Sequence, residues 1–457
     1  MRQLTIFLSL LLSSSLLAQN KLVPKFDERI ELLSVVFRLA ESPEYINNSI
    51  KLYSDSVDAY FNQYKNHEVV KLAQKLRKKN GVAYDAVMSM AIHLRIDNNT
   101  IRFDESLTRK NLDNRWGKYS DNFVTKLSDF YSKSEFKQFF NRNKPLYEIA
   151  EERFGNISQS LDIEWFENFY GYQPKGKYHI VLSLLNYGNY GPKTLAKSGE
   201  ENIYSILCAW ETDSRGTPKY HANQKGTLVH EFCHSFCNQL GEKYIPQMEP
   251  KATEFYKTVS KLMRRQAYGS SQTMINEILV RASTIRYFED TGVDETSIDR
   301  MLLSEQANGF LWIDTLYQSF NNYTSNREKY ATLDDFMPQV VSLQNSLLPE
   351  ELLKNYNSNC PRIISSSITN GAKDVSPSLS EIIIEYDRPM ASYGISDKGN
   401  PPELEVEWKD QQHTILSVKV VLESDTDYAL HFHPPFNVDR YKFPLKESFK
   451  LKFKTKK

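Results

Sequence analysis

The spacing of apolar residues changes along this chain, and that change limits what it can fold into. From Glu28 to about Gly155 apolar residues recur every three or four positions, as in RIELLSVVFRLAESPEY, SIKLYSDSVDAYFNQY and AYDAVMSMAIHLRI. That is the period of helices with one buried face. Past Cys360 the spacing falls to two. EIIIEYD, ELEVEWKD, ILSVKVVLE, DYALHFH and SFKLKFKTKK follow at regular intervals with turn residues between them. Several short alternating runs within about 100 residues predict a β-sandwich. A pattern of one period does not settle into the other structure, so the chain must begin helical and end all-β.

Between these regions the pattern is mixed. KYHIVLSLLN (177–186) and NIYSILCAW (202–210) are rich in β-branched and apolar residues and read as strands. NYGNYGPK joins them as a loop punctuated by Gly188, Gly191 and Pro192. Helical periodicity returns at Lys225 and continues through QTMINEILVRASTIRYFED and LDDFMPQVVSLQNSLL. The expected fold is an α+β domain, mostly helical with a small sheet, followed by an all-β sandwich. Residues 19–358 would form the first domain, with a helical part at 26–170 and a core at 171–350; residues 361–457 would form the sandwich.

Lysine plus arginine number 57 and aspartate plus glutamate also 57. A balanced charge argues against nucleic acid or an anionic membrane surface as the main partner, since both select basic proteins. At the N-terminus Arg2 precedes the apolar run LTIFLSLLLSSSLLA (4–18), too short and too early for a membrane span. We read residues 1–18 as a signal peptide cut after Ala18, and expect an exported protein, periplasmic or extracellular, with no integral membrane segment in the mature chain. The four cysteines do not make a disulfide framework. Cys233 and Cys237 lie one turn apart, a poor geometry for bridging each other. They and Cys208 read as small buried apolar residues, and Cys360 as a free thiol near a boundary.

The stretch KGTLVHEFCHSFCNQLG, Lys225 to Gly241, carries the chemistry. On a helix His230 and His234 stand about 40° apart, so both rings project on one stripe. Val229, Phe232, Cys233, Phe236 and Leu240 gather on a separate apolar arc. Glu231 is turned about 100° from His230, away from that arc and within reach of the histidine stripe. This is the HExxH arrangement, in which two imidazoles hold zinc and the glutamate polarises its bound water. By contrast HEVVK (67–71) has no second histidine and reads as a helix start without a metal site.

Zinc in a hydrolytic site needs three protein ligands and an open position. A histidine six residues after His234 would supply the third in one subclass, but Leu240 stands there. Two downstream glutamates are the alternatives. Glu254 lies twenty residues after His234 in the lysine-rich KATEFYKTVSKL. Glu277 lies among Met274, Ile275, Ile278, Leu279 and Val280. A carboxylate in such surroundings is buried, and burial without a partner costs several kcal/mol. Zinc would serve as that partner; Arg281, one turn on, would serve in a structural ion pair, orient Glu277, or read a substrate carboxylate. The balance favours Glu277.

These residues also carry a resemblance. HEFCH followed by Asn276-Glu277 is similar to the glutamate-ligand zincin metallopeptidases, in which an Asn-Glu pair opens the second metal helix. RIELLSVVFRLAESPEY, HEFCHSFCN, QAYGS and NEILVRAS together resemble a bacterial family catalogued as a domain of unknown function and grouped with the zincins, over most of Glu28 to about Leu348. NGAKDVSPSLSEIIIEYDRPM resembles bacterial Ig-like modules of secreted proteins. The resemblance implies a zinc peptidase, with His230, His234 and Glu277 as ligands and Glu231 as acid/base, acting on a peptide or protein substrate. Tyr268 is the candidate oxyanion donor, with His221, Tyr317 and Tyr330 as competitors. NIYSILCAW would be the edge that binds an extended peptide, bordered by NYGNYGPK. The Ig-like module would dock to another protein or a cell-surface component; His431 and His433, alternating on one strand, could bind a metal, although such surface pairs more often bind nothing. Rival readings are a catalytically silent binding protein and a zinc hydrolase of a non-peptide amide or ester.

Overall fold

The structure is a computed structural model describing residues 22–396 and 400–457; the signal-peptide reading of residues 1–18 lies outside them. The chain forms two compact units, one of residues up to 161 with 176–228, the other of 162–175 with 229–457. No helix among the described residues is long and apolar enough to cross a membrane.

In the first unit a short strand β1 (Lys25–Phe26) leads into helices α1 (Glu28–Leu39), α2 (Lys51–Phe61), α3 (Glu68–Asn80) and α4 (Asp85–Ile92). A hairpin, β2 (Leu94–Asp97) and β3 (Thr100–Phe103), precedes α5 (Ser120–Lys133), α6 (Phe136–Arg142) and α7 (Lys144–Ser158). Then come β4 (Lys175–Ser183), β5 (Lys193–Leu195), β6 (Glu201–Cys208), β7 (Glu211–Thr212) and β8 (Pro218–Lys219). Helix starts follow the local chemistry. Asp27 caps α1 by accepting from Arg29 N at 2.9 Å, and His67 caps α3 by accepting from Val69 N at 3.2 Å. HEVVK is therefore a helix start, with its histidine spent on the backbone.

The sheet belongs with these N-terminal helices. Its order is β1-β4-β6-β5, with β1 parallel to β4 through Lys25 opposite Val181 and Phe26 opposite Leu182. Val181, Leu184, Leu185, Tyr204 and Ile206 join Leu33, Phe37 and Trp116 in one apolar core. A boundary at residue 170 between a helical part and a core is therefore not where the compact units divide. β6 is also not an edge. It is flanked by β4 and β5, and the loop before β5 returns along it, with Tyr190 bridging Ile206. NIYSILCAW thus lacks the free edge that strand addition requires.

The second unit holds α8 (Ile163–Tyr170), most of α9 (Gln224–Arg265), α10 (Ser271–Asp290), α11 (Glu295–Ala307), α12 (Ile313–Ser325), α13 (Leu333–Ser346) and α14 (Pro349–Asn359). Strands follow: β9 (Ile363–Ser366), β10 (Ala372–Val375), β11 (Glu381–Tyr386), β12 (Met390–Ser392), β13 (Ile395–Ser396), β14 (Glu403–Trp408), β15 (Ile415–Val421), β16 (Asp427–Phe432), β17 (Val438–Asp439) and β18 (Phe449–Thr455). Two four-stranded sheets, β10-β18-β16-β13 and β14-β15-β11-β9, form the sandwich. Inward residues of both, including Ile382, Ile384, Leu416 and Val418 from one and Leu430, Phe432, Leu451 and Phe453 from the other, make its core. Cys360 is buried at the junction between α14 and β9, and Arg388 Nη1 donates to the Asn359 carbonyl at 2.6 Å.

Candidate metal centre

α9 is continuous over 42 residues despite Pro246 and Pro250. Each proline removes one backbone hydrogen bond, and both lie beyond the histidine segment. On that segment Val229, Phe232, Cys233 and Phe236 are buried while Leu240 is half-buried. The apolar arc packs on α8: Phe236 stacks on Tyr170 with ring centroids 4.4 Å apart, and Phe232 meets Phe166 edge-on at 5.7 Å. Burying each such ring contributes about 1.5–3 kcal/mol. Tyr287 of α10 lies on the same Phe166 ring at 5.6 Å. α8 is thus a common seat for α9 and α10, and it turns the histidine stripe towards α10.

α10 crosses α9 at Gly241. A Cβ there would stand 1.9 Å from Asn276 Oδ1. Glycine in a helix interior costs up to about 1 kcal/mol relative to alanine; here it admits the neighbouring helix. With Asn276 against Gly241, the next residue, Glu277, reaches the histidines.

Three side chains converge there. His234 Nε2 lies 3.2 Å from His230 Nε2. Glu277 Oε1 lies 3.5 Å from His234 Nε2, and Oε2 lies 3.7 Å from His230 Nε2. One ligand atom from each falls within 4.8 Å of the others. Tetrahedral zinc, with ligand atoms about 2.0–2.1 Å away, separates those atoms by roughly 3.3–3.4 Å. The donor set, two imidazoles and a carboxylate gathered within 4.8 Å, could therefore hold a divalent metal ion.

His234 Nδ1 faces Asn238 Oδ1 at 3.0 Å, so Nδ1 carries the proton and Nε2 keeps its lone pair for the cluster. Burial, then His234 and Arg281, hold His230 well below the usual imidazole pKa and hence neutral. Burial also works against charge on His234, but Glu277 and Glu231 outweigh it and raise that ring's pKa. Glu231 is buried, with 6% of its surface exposed. Glu277 and Glu305 share one guanidinium, that of Arg281.

Glu254 sits elsewhere. It lies on α9 itself, twenty residues beyond His234, about 30 Å along a straight helix. Its carboxylate pairs with Lys251 at 2.7 Å and is 54% exposed, a solvated surface charge. The cysteines do not join the site. Cys233 and Cys237 are buried and free, and burial raises the Cys237 thiol to about 11 and Cys233 further. Tyr170 hydroxyl lies 3.3 Å from Cys237 Sγ, so both thiols belong to the packing side of α9.

Tyr268 reaches the centre through a tight turn. Ala267 takes a left-handed φ of 66°, Tyr268 N bonds Met263 O at 3.0 Å, and Ser270 then caps α10. The Tyr268 hydroxyl donates to Glu277 Oε2 at 3.0 Å and accepts from Arg281 Nη2 at 2.9 Å. Its single proton is given to Glu277, not held ready for an oxyanion. Of its competitors, His221 pairs with Glu211 at 2.9 Å, Tyr317 is buried beside Glu289, and Tyr330 packs on Phe336. Asn238 and Glu305 were missed by sequence reasoning. Asn238 carried a signal, standing four residues past His234 on the same stripe; Glu305 carried none.

Two imidazoles and a carboxylate on crossing helices, at this spacing, define a candidate three-ligand divalent-metal centre. Residues 22–343 match the family described as Domain of unknown function (DUF4932), and the chain belongs to that family. No curated protein matches it. Solved structures similar to parts of the chain include surface layer protein SbsC, domains 1-6, at 12% identity and a TM-score of 0.17, covering 55% of this chain and 35% of that one. Another is the N-terminal part of the bacterial S-layer protein SbsC, at 13% identity and a TM-score of 0.16, covering 52% and 58%. The chain thus spans about a third to somewhat over half the length of those two structures.

Proposed function

We propose that this protein is an exported zinc-dependent peptidase of the glutamate-ligand zincin type. The observation that carries the reading is the convergence of His230, His234 and Glu277, one ligand atom of each within 4.8 Å of the others and the two Nε2 atoms 3.2 Å apart, close to an edge of a tetrahedral zinc shell. Bound zinc supplies a Lewis acid that lowers the pKa of a water ligand and polarises a carbonyl. His230 and His234 hold the metal through Nε2, and Asn238 fixes the orientation of the second ring. Glu231, next to His230 in the chain, takes a proton from the attacking water and returns it to the leaving amine. Export is inferred from the apolar run at residues 4–18, and the C-terminal sandwich is assigned as an Ig-like docking module.

The test is cleavage of a mixed peptide library by the zinc-loaded full chain and by Glu231→Gln. Cleavage by the first and none by the second, with zinc bound to both, is the expected result. Zinc binding with no cleavage of any peptide would instead point to another amide or ester, or to a silent scaffold.

A further inference from the structure

The two oxygens of Glu277 have different surroundings. Oε1 lies 3.5 Å from His234 Nε2, and Oε2 lies 3.7 Å from His230 Nε2. Oε2 accepts from the Tyr268 hydroxyl at 3.0 Å and lies 3.4 Å from Arg281 Nε. Arg281 is itself anchored. Its Nη1 donates to Glu305 Oε2 at 2.6 Å, its Nη2 donates to the Tyr268 hydroxyl at 2.9 Å, and its guanidinium lies 4.6 Å over the Phe310 ring. Glu305 accepts in turn from Asn308 Nδ2 at 3.0 Å. The turn that follows is tight: Gly309 has φ +103°, and a Cβ there would strike Met263 of α9 at 2.8 Å.

We propose, on the metal reading above, that Tyr268, Arg281 and Glu305 are positioning residues that keep Glu277 a one-oxygen ligand. A carboxylate can bind a metal through one oxygen or two. Two would fill the position that hydrolysis leaves open for water. Tyr268 and Arg281 engage Oε2 with a hydroxyl proton and a positive charge, and so leave Oε1 to the metal. Glu305 keeps the guanidinium in place. Arg281 is committed to Glu277, Glu305 and Tyr268 and is 15% exposed, so it does not read a substrate carboxylate. A simple structural ion pair between Arg281 and Glu277 would need neither the tyrosine on the same oxygen nor the second glutamate behind the arginine.

The experiment uses cobalt(II) in place of zinc in the full chain, with Tyr268→Phe, Arg281→Lys and Glu305→Gln beside the unaltered protein. Four-coordinate cobalt absorbs strongly in the visible and five-coordinate cobalt weakly, so the spectrum counts ligands. The unaltered chain is expected to give the strong four-coordinate band. Tyr268→Phe and Arg281→Lys should weaken it, and should raise the zinc Kd, measured against a chromophoric chelator, by about 10- to 100-fold. The metal-free Tm of Tyr268→Phe should stay within a few degrees of the unaltered protein, which separates positioning from folding; if Arg281→Lys fails to fold, Tyr268→Phe decides alone. Unchanged spectrum and Kd in Tyr268→Phe would overturn the positioning role while leaving the metal centre standing. Failure of the unaltered chain to bind either metal would instead remove the centre itself, and this role with it.

Discussion

Gly241 of α9 and Asn276 of α10 approach so closely that no methyl group fits between them; a Cβ on Gly241 would lie 1.9 Å from Asn276 Oδ1 and 3.0 Å from its Cγ. Alanine in place of glycine inside a helix ordinarily stabilises by up to about 1 kcal/mol. Here the sign should reverse. Gly241→Ala is predicted to destabilise by about 1–3 kcal/mol through overpacking and to weaken zinc binding, because Glu277 follows Asn276 directly. In an Asn276→Ala background the same change should lose most of its cost. Urea denaturation of the four proteins of this cycle checks it; an ordinary stabilisation by Gly241→Ala would contradict the close crossing.

Glu254→Gln is predicted to leave zinc stoichiometry and peptide cleavage untouched. Its carboxylate is exposed and paired only with Lys251 one turn away, an interaction worth about 0–1 kcal/mol. Loss of zinc from this variant would show that the third ligand has been misplaced.

His234 is oriented by Asn238, whose Oδ1 lies 3.0 Å from Nδ1. Asn238→Ala should raise the zinc Kd by about 10- to 100-fold with little effect on metal-free stability, since Asn238 is half-buried. Chelator competition reads the first quantity and thermal unfolding the second.

A pH dependence is built into the first unit. Glu31 is fully buried, its Oε2 accepting from Tyr53 hydroxyl at 2.6 Å, and burial raises its pKa from the ordinary 4.5 to about 7. Because the folded value is the higher one, folding favours the protonated carboxyl. Its stabilising contribution is full below pH 4.5, declines as pH rises from 4.5 to about 7, and is absent above. A shift of this size corresponds to roughly 3 kcal/mol. Glu31→Gln, neutral at every pH, should flatten that part of the stability profile in urea unfolding followed by tryptophan fluorescence. An unchanged slope would mean that Glu31 does not titrate in this window.

Much of the centre was legible because helical period converts spacing into direction. His230, His234 and the separate arc of Val229, Phe232, Cys233 and Phe236 follow from residue numbers alone. Glu277 followed from a second argument, that a carboxylate flanked by Met274, Ile275, Ile278 and Leu279 is buried and needs a partner. Glu305 could not be found this way. It arrives from another helix, α11, and its place depends on a turn at Asn308 and Gly309 that spacing does not encode. The contact of Tyr268 with Glu277 was hidden for a similar reason, since it follows a left-handed Ala267 in the turn before α10. The strand NIYSILCAW was read correctly as a strand but wrongly as an edge. Which strands flank it depends on a parallel pairing between β1 and β4, 156 residues apart in sequence (Lys25 to Val181), and on Tyr190 returning along Ile206.

The most direct test of the metal centre is zinc content, measured by mass spectrometry on the purified full chain after dialysis against zinc-free buffer. The unaltered protein and Glu231→Gln are predicted to retain one zinc per chain, while His230→Ala, His234→Ala and Glu277→Ala each lose it and the rise in Tm that zinc confers. An unaltered chain that retains no zinc, with His230→Ala unfolding at the same temperature as its parent, would contradict the account at its root.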